Sequence, residues 1–291
     1  MKVLLTGSNG QLGKALVSNK PQNIDIIKTT RKEFDLSNKK NCIDFIKNHN
    51  PDWVINAAAF TDVEKAEIEK DISYKINANG PKYISEALLE TGGRLLHIST
   101  DYVFSGKATS PYKTDAERSP ISFYGFSKAN AEKEIENLLF KSDQAVILRT
   151  SWLISSYGKN FLTKMLELQS KLSYLNVISD QIGCITNTNS LANICWLTLT
   201  KNSKLPKILH WSERGQTNWF EIAIEINKIA FELGIIKNKP TIFPIKSEEY
   251  KTIAQRPKFS LLDISQTESF FKIKSNNWKD SLKKILLEIK S

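Results

Sequence analysis

The chain has 291 residues, 41 Lys and Arg against 31 Asp and Glu, and a formal net charge of +10. That length accommodates one large α/β domain, or up to two domains, with a substantial core. No apolar run approaches the roughly 18 residues of a membrane span, and the chain opens on a strand, Lys2-Val3-Leu4-Leu5, rather than an export signal, so a cytoplasmic protein without membrane contact is expected.

The basic residues are spread along the chain as solvated surface lysines, which argues against a nucleic-acid footprint. A diffuse positive field would instead draw anionic small molecules, such as a dinucleotide or a nucleotide-linked substrate. Cys42, Cys184 and Cys195 are scattered, and His49, His97 and His210 show no ligand spacing, so no metal site is expected. His97 lies in a strand-like run and reads as packed rather than catalytic.

In chain order, the β-rich run Val3 to Thr6 leads into Gly7-Ser8-Asn9-Gly10-Gln11-Leu12-Gly13 and then a helix from about Gln11 to Ser18. A G-x-x-G-x-x-G turn between strand and helix lets backbone approach a pyrophosphate and aims the helix N-terminus at it. Gly7, Asn9, Gly10, Gln11, Leu12 and Gly13 are therefore assigned to a dinucleotide. A second strand, Ile24 to Lys28, is followed by Thr29-Thr30-Arg31-Lys32 where an NAD-specific site carries an acid. Glu33 is the nearest acid and sits late in the loop. This favours NADPH over NADH, with Arg31 as the 2′-phosphate partner or else a solvated loop charge. Asp35 and Leu36 are placed to reach the adenine, and Ser37 or Asn38 caps a helix ending near Asn48.

Trp53 to Asn56 reads as a buried parallel strand. The small residues Ala57, Ala58 and Ala59 after it let a cofactor lie against backbone, or simply pack closely. Helices follow over Val63 to Lys70 and Ser73 to Thr91, then a strand over Arg94 to Ile98. Ser99-Thr100-Asp101-Tyr102-Val103-Phe104 begins at that strand's C-terminal end, where open α/β sheets place ligands. Ser105 to Ser122 is a polar loop. The next helix, running to about Lys141, opens with Tyr124-Gly125-Phe126-Ser127-Lys128, which sets a phenol and an ammonium on one face a turn apart. Alone that pair is equally well a surface pair. Behind a glycine turn and Ser99-Thr100-Asp101 it is the equipment of hydride transfer: bound dinucleotide, proton donor with electrostatic partner, and a hydroxyl for a carbonyl.

Val146 to Leu148 makes the next strand. Through residue 150 the order is β-α with no hairpin, which predicts a Rossmann-like doubly wound parallel sheet. Residues 1–150 form this dinucleotide-binding unit, and residues 151–291 form mainly a smaller mixed α/β substrate-binding lobe, with segments free to return to the sheet. Helices are expected near Asn160–Lys171, Asn189–Lys201, Asn218–Leu233 and Asn277–Lys290, and strands at Tyr174–Ile178, Lys207–His210 and Thr241–Ile245.

These residues resemble the dTDP-4-dehydrorhamnose reductase family of extended short-chain dehydrogenases/reductases over essentially the whole chain. The likeness rests on Gly7 to Gly13, Asn56 to Glu67, Ser99 to Phe104, Tyr124 to Lys128, Arg149-Thr150-Ser151-Trp152, Asp180-Gln181-Ile182-Gly183 and Arg256 to Leu261. It implies NADPH- or NADH-dependent reduction of the 4-keto group of dTDP-4-dehydro-L-rhamnose to dTDP-L-rhamnose, within cell-surface polysaccharide synthesis. It further implies a catalytic trio of Thr100, Tyr124 and Lys128, and places Thr61 with the alanines on the cofactor wall. Thr100, Asp101, Val103, Phe104, Tyr124, Trp152, Asn160 and Arg256 fall around the sugar nucleotide. The alternative reading of Trp152 is a core aromatic, while Arg256 reads equally as a surface ion pair. Cys184-Ile185-Thr186 replaces the family's Ala-Pro-Thr, which alters a loop beside the substrate. Ala15 and Asn189 stand where some members carry metal-binding glutamates at a dimer interface, so no metal is expected and a homodimer is left open.

The expected chemistry has Tyr124 donating a proton to the sugar oxygen, Lys128 lowering the phenol's pKa and bonding the nicotinamide ribose, and Thr100 holding the oxygen where charge grows. Two alternatives stay open: another sugar-nucleotide enzyme on the same scaffold, such as a different reductase or an epimerase, or a non-catalytic regulatory subunit. Asp101 without a following glutamate counts against a dehydratase, and the complete trio counts against a silent subunit.

Overall fold

The computed structural model describes residues 1–290. Strands β1 (Lys2–Thr6), β2 (Asp25–Lys28), β3 (Trp53–Asn56), β4 (Arg94–Thr100) and β5 (Ala145–Thr150) join a later strand, Ile208–Trp211, in one six-stranded sheet. Every neighbouring pair is parallel. The order across it is Ile208–Trp211, β5, β4, β3, β1, β2. The chain leaves β1 on one side for β2 and returns on the other for β3. The C-terminal ends of β1 and β3 therefore flank the reversal point at which such sheets bind ligands.

The strands are nearly all apolar because helices cover both faces. Val3, Leu5, Ile55, Leu96 and Leu148 pack with Leu12 and Leu16 of α1 (Gln11–Ser18) and with Leu191 and Cys195 of the helix Thr188–Thr200. The alternate residues Leu4, Val54, Leu95 and Ile147 pack with Ile46, Ile84, Leu88 and Ile135 of the helices Lys39–His49, Gly80–Thr91 and Phe123–Leu139. A separate core forms the lobe, where the helices Phe161–Lys171, Trp219–Glu232 and Trp278–Lys290 pack around the parallel pair Tyr174–Ile178 and Thr241–Ile245. Residues beyond 150 thus serve both bodies: the helix Thr188–Thr200 covers the sheet, and Ile208–Trp211 completes its edge.

Several boundaries differ from the sequence reading. β4 runs two residues past Ile98, so Ser99 and Thr100 are strand residues, and β5 continues to Thr150. Their hydroxyls replace apolar side chains without interrupting the parallel ladder. The expected helix Ser73 to Thr91 begins earlier and changes pitch: Lys70–Tyr74 is α-helical, Lys75–Asn79 forms a wider π turn, and Gly80–Thr91 is α-helical again. The helix Ser265–Phe271 was not anticipated, since a seven-residue element carries too little periodicity.

Candidate active site

The turn after β1 is a cradle of bare backbone. Gly7 has φ +67°, and a Cβ there would lie 2.9 Å from the Ala58 Cα, while one on Gly13 would fall on the Gly7 carbonyl. α1 begins at Gln11 behind Gly10, with no side-chain cap and no acid in its first turn. Its leading N–H groups and the positive end of its dipole are thus available to an anion. Ala57, Ala58, Ala59 and Thr61 form the facing wall of a cleft of about 550 Å³. The residues present fit a dinucleotide pyrophosphate.

The opposite wall carries the reactive groups. Ser122 caps the helix Phe123–Leu139 by accepting the Gly125 N–H at 3.2 Å, and Glu67 accepts the Phe123 N–H at 2.7 Å. The start of the helix is therefore fixed, and it brings Tyr124 and Lys128 to the wall of the cleft beside Thr100 and Asp101. The Thr100 hydroxyl lies in hydrogen-bond reach of the Tyr124 phenol. Thr100 also donates to Asp101 Oδ1 at 3.0 Å and accepts the Tyr102 N–H at 3.2 Å. Burial raises the Asp101 carboxyl to about 6.

The half-buried Tyr124 phenol is pushed well above its ordinary pKa, by desolvation first and then by Asp101 and Tyr102, with Thr100 opposing. The expected Lys128 effect on it is not present. The Lys128 ammonium turns into the sheet, donating to the Ile98 carbonyl at 2.7 Å and meeting His97 Nε2 at 3.0 Å. Burial brings the Lys128 pKa down to about 8, with Glu132 opposing. Side-chain reach explains the difference: four methylenes let the amine choose a buried carbonyl over the neighbouring phenol.

The remaining sequence candidates divide. Gly7, Gly10, Gln11, Leu12, Ala57 to Ala59, Thr61, Trp152 and Asn160 all line the cleft. Asn9 lines a neighbouring hollow with Ser8, Lys14 and Thr30. Arg31 is exposed and makes no hydrogen bond or ion pair among the described residues. Glu33 lies exposed in the loop, where it accepts the Thr30 N–H and hydroxyl at 2.7 and 3.0 Å. Asp35 is occupied by Ser37, and Leu36 is buried in the sheet's core. Val103 and Phe104 are fully buried with Tyr112 and Leu262, so the structure does not bring their side chains to the cleft. Their place in the motif serves packing, and Phe104 stacks on Tyr112 at 4.2 Å between ring centres.

Trp152 has the left-handed φ of +45° and stacks on Trp219 at 3.8 Å. Asn160 caps its helix with Oδ1, while its amide bonds Gln11 Oε1 at 2.9 Å, tying the lobe to the glycine turn. Cys184 and Ile185 are fully buried in the lobe's core, so the departure from Ala-Pro faces away from the cleft. Their carbonyls brace the site instead, Cys184 accepting from Ser151 Oγ at 2.8 Å and Ile185 from the Glu213 N–H. Arg256 lines a second cavity of about 750 Å³ with Lys107, Gln181 and Lys258. One guanidinium nitrogen is already on Glu64 at 2.9 Å, so Arg256 is both ion-paired and open to a ligand.

Sequence reasoning missed Trp219, which completes the cleft beside Trp152, and it gave His97 a purely packing role. Trp219 opens a lobe helix with no motif around it. His97 does carry a signal, as a histidine in an apolar parallel strand of known register.

The model of the RmlD substrate binding domain family matches residues 1–291. A dTDP-4-dehydrorhamnose reductase of Aggregatibacter actinomycetemcomitans is 34% identical over 290 residues, covering 98% of each chain. The solved structure of a dTDP-4-dehydrorhamnose reductase from Clostridium acetobutylicum superposes with a TM-score of 0.92 at 34% identity, covering 100% of both chains. That of the Bacillus anthracis dTDP-4-dehydrorhamnose reductase, in complex with NADP, gives 0.91 at 32% identity and 99% coverage of both.

Proposed function

The chain belongs to the RmlD substrate binding domain family, and from that premise we propose that it reduces the 4-keto group of dTDP-4-dehydro-L-rhamnose, giving dTDP-L-rhamnose, with NADPH preferred over NADH. The observation that carries this reading is the meeting of Thr100, Tyr124 and Lys128 in one cleft with the glycine turn. A bound nicotinamide supplies the hydride. Gly7, Gly10 and the α1 N-terminus would hold the pyrophosphate, the Ala57–Ala59 wall would back the cofactor, and Arg31 would supply a cation for a 2′-phosphate.

Thr100 offers a hydroxyl to the sugar oxygen as it gains charge, and Tyr124 gives it the proton. A phenol held neutral by burial is a loaded donor at any working pH, and a sugar alkoxide is a stronger base than a phenolate. Lys128 lines the same cleft, so an ammonium proton beyond its two sheet partners is free for a ribose hydroxyl. The nucleotide diphosphate falls to the second cavity, where Arg256, Lys107 and Lys258 gather, Arg256 paired with Glu64 and Lys258 with Glu248. Both cavities are lined by one chain, so this reading needs no second copy. A chain with no helix long and apolar enough to cross a membrane among its described residues suits work on charged nucleotides in the cytoplasm.

The test is absorbance at 340 nm with NADPH or NADH and dTDP-4-dehydrorhamnose. Loss of signal that depends on the keto sugar is expected, faster with NADPH. Tyr124→Phe should lower turnover by about a hundredfold or more with cofactor binding intact. Near-normal turnover of that variant would remove Tyr124 from the acid role.

A further inference from the structure

One row of the sheet breaks its own pattern. On the face covered by the helix Phe123–Leu139, Leu4, Val54 and Leu95 are paired across β1, β3 and β4. Two residues further along, Thr6, Asn56 and His97 are paired in the same register and are all polar. Thr6, Asn56, His97 and Lys128 are each at most 2% exposed. They form a single chain: Thr6 Oγ1 to Asn56 Oδ1 at 2.7 Å, Asn56 Nδ2 to His97 Nδ1 at 3.1 Å, and His97 Nε2 to Lys128 Nζ at 3.0 Å. Four buried polar side chains persist in an apolar layer only if each is satisfied.

Counting protons along the chain gives two arrangements. The Ala58 N–H donates to Thr6 Oγ1 at 3.1 Å, which leaves the Thr6 hydroxyl proton for Asn56 Oδ1. The Asn56 amide then donates to His97 Nδ1, so the neutral imidazole carries its proton on Nε2. That proton points at Lys128, which must accept it with the lone pair of a neutral amine. In the other arrangement Lys128 is an ammonium and donates to His97 Nε2. The imidazole proton then sits on Nδ1, the Asn56 amide is reversed, and the Thr6 proton loses its acceptor.

We propose that His97 is a positioning residue that sets the charge of Lys128, its tautomer and the Asn56 amide switching together as the amine gains or loses its proton. The chain runs from the cofactor turn at Thr6-Gly7 to the amine, so the charge state of Lys128 is read at the point where the cofactor binds. The assignment rests on the reading of Lys128 as part of the catalytic trio. Glu132 on its own helix acts on the amine, and Tyr124 on the same helix and Asp101 after β4 line the cleft with it. Arg149 from β5 and Arg118 hold Glu132 at 2.6 and 3.2 Å. The imidazole itself stays neutral, since burial and then Lys128 hold its pKa well below the ordinary range.

The test uses ligand-free protein labelled with ¹⁵N-histidine, followed by long-range ¹H–¹⁵N correlation from pH 6 to 10. Only three histidines contribute, and His49→Gln and His210→Gln assign His97 by elimination. His97 should remain neutral throughout and pass from the Nδ1–H to the Nε2–H tautomer near pH 8, where Lys128 loses its proton. The change should vanish in Lys128→Met, or in Lys128→Gln if that variant is better folded. In His97→Gln, whose amide can accept from the ammonium, the basic limb of the turnover profile should move up by about one pH unit. One unchanging tautomer in the wild type, or protonation to imidazolium in this range, would overturn the proposal. Because the spectra need neither cofactor nor sugar, they stand apart from the reductase assay.

Discussion

Lys128 is a charge placed where water hardly reaches, and its cost has a definite sign. Its folded pKa of about 8 lies below the ordinary lysine value of 10.5, with desolvation the main cause. Between those values the unfolded chain holds a proton that the folded chain has released, so stability rises with pH across that window. Below pH 8 the full cost is present. Urea midpoints of Lys128→Met and the wild type at pH 7 and pH 10 should therefore differ most at pH 7. The variant's relative advantage should shrink by about 2 kcal/mol at pH 10. A gap that does not change with pH would mean that Lys128 is not destabilised by burial. At this scale Thr100, Tyr124 and Lys128 were legible because each announces its chemistry by type and spacing. Where the amine points was not, because spacing fixes only Cβ positions. A four-methylene stem is settled by acceptors such as the Ile98 carbonyl, from a strand 30 residues away.

Two devices hold the elements that carry these residues. Glu132, one turn beyond Lys128, is fully buried and takes Arg149 through two bonds of 2.9 and 2.6 Å, with Ser99 Oγ at 2.5 Å. Burial alone would raise its pKa, but Arg149, Ser99 and Arg118 together hold it down. The helix Phe123–Leu139 is thereby pinned to β4 and β5 at the level of the cleft. Glu132→Ala would leave the Arg149 guanidinium buried without its counter-charge and should destabilise the fold by about 3–5 kcal/mol in urea titration. A loss under about 1 kcal/mol would show that the pair relaxes into water.

The second device is the π turn Lys75–Asn79, which aims Asn77 away from its own helix. Asn77 bonds both backbone groups of Phe60 at 2.7 and 3.0 Å, and Ser127 Oγ at 3.0 Å. The loop after β3 and the Tyr124 helix are thus held by one side chain. Strand and helix positions were readable from period and caps, and Tyr174–Ile178 and Thr241–Ile245 fall where the sequence placed them. The π turn was not, since one extra residue per turn leaves the apolar pattern on both sides unchanged.

For the molecule as a whole, the βα order through residue 150 was enough to predict a doubly wound parallel sheet, and the motifs strung along the chain identified its family. The return of Ile208–Trp211 to the sheet edge could not be located, because a four-residue apolar strand looks alike in either body. The same limit hid the pairing of Trp152 with Trp219, which lie 67 positions apart and meet where both pack against the core of the lobe. The assembled molecule sets the cleft proposed for the reductant beside a cavity gathering Lys107, Arg256 and Lys258. Its +10 formal charge would favour approach of both anionic ligands. The proposed reaction is direct hydride delivery to the sugar's C4 with a proton supplied by the protein. The most direct measurement uses NADPH deuterated in turn at each face of its nicotinamide C4, with dTDP-4-dehydrorhamnose and analysis of the product by NMR. One deuterium at the sugar C4, from one face only, in stoichiometric step with NADPH consumed, is expected. Product without deuterium from either face, or turnover of the sugar with no NADPH consumed, would contradict it.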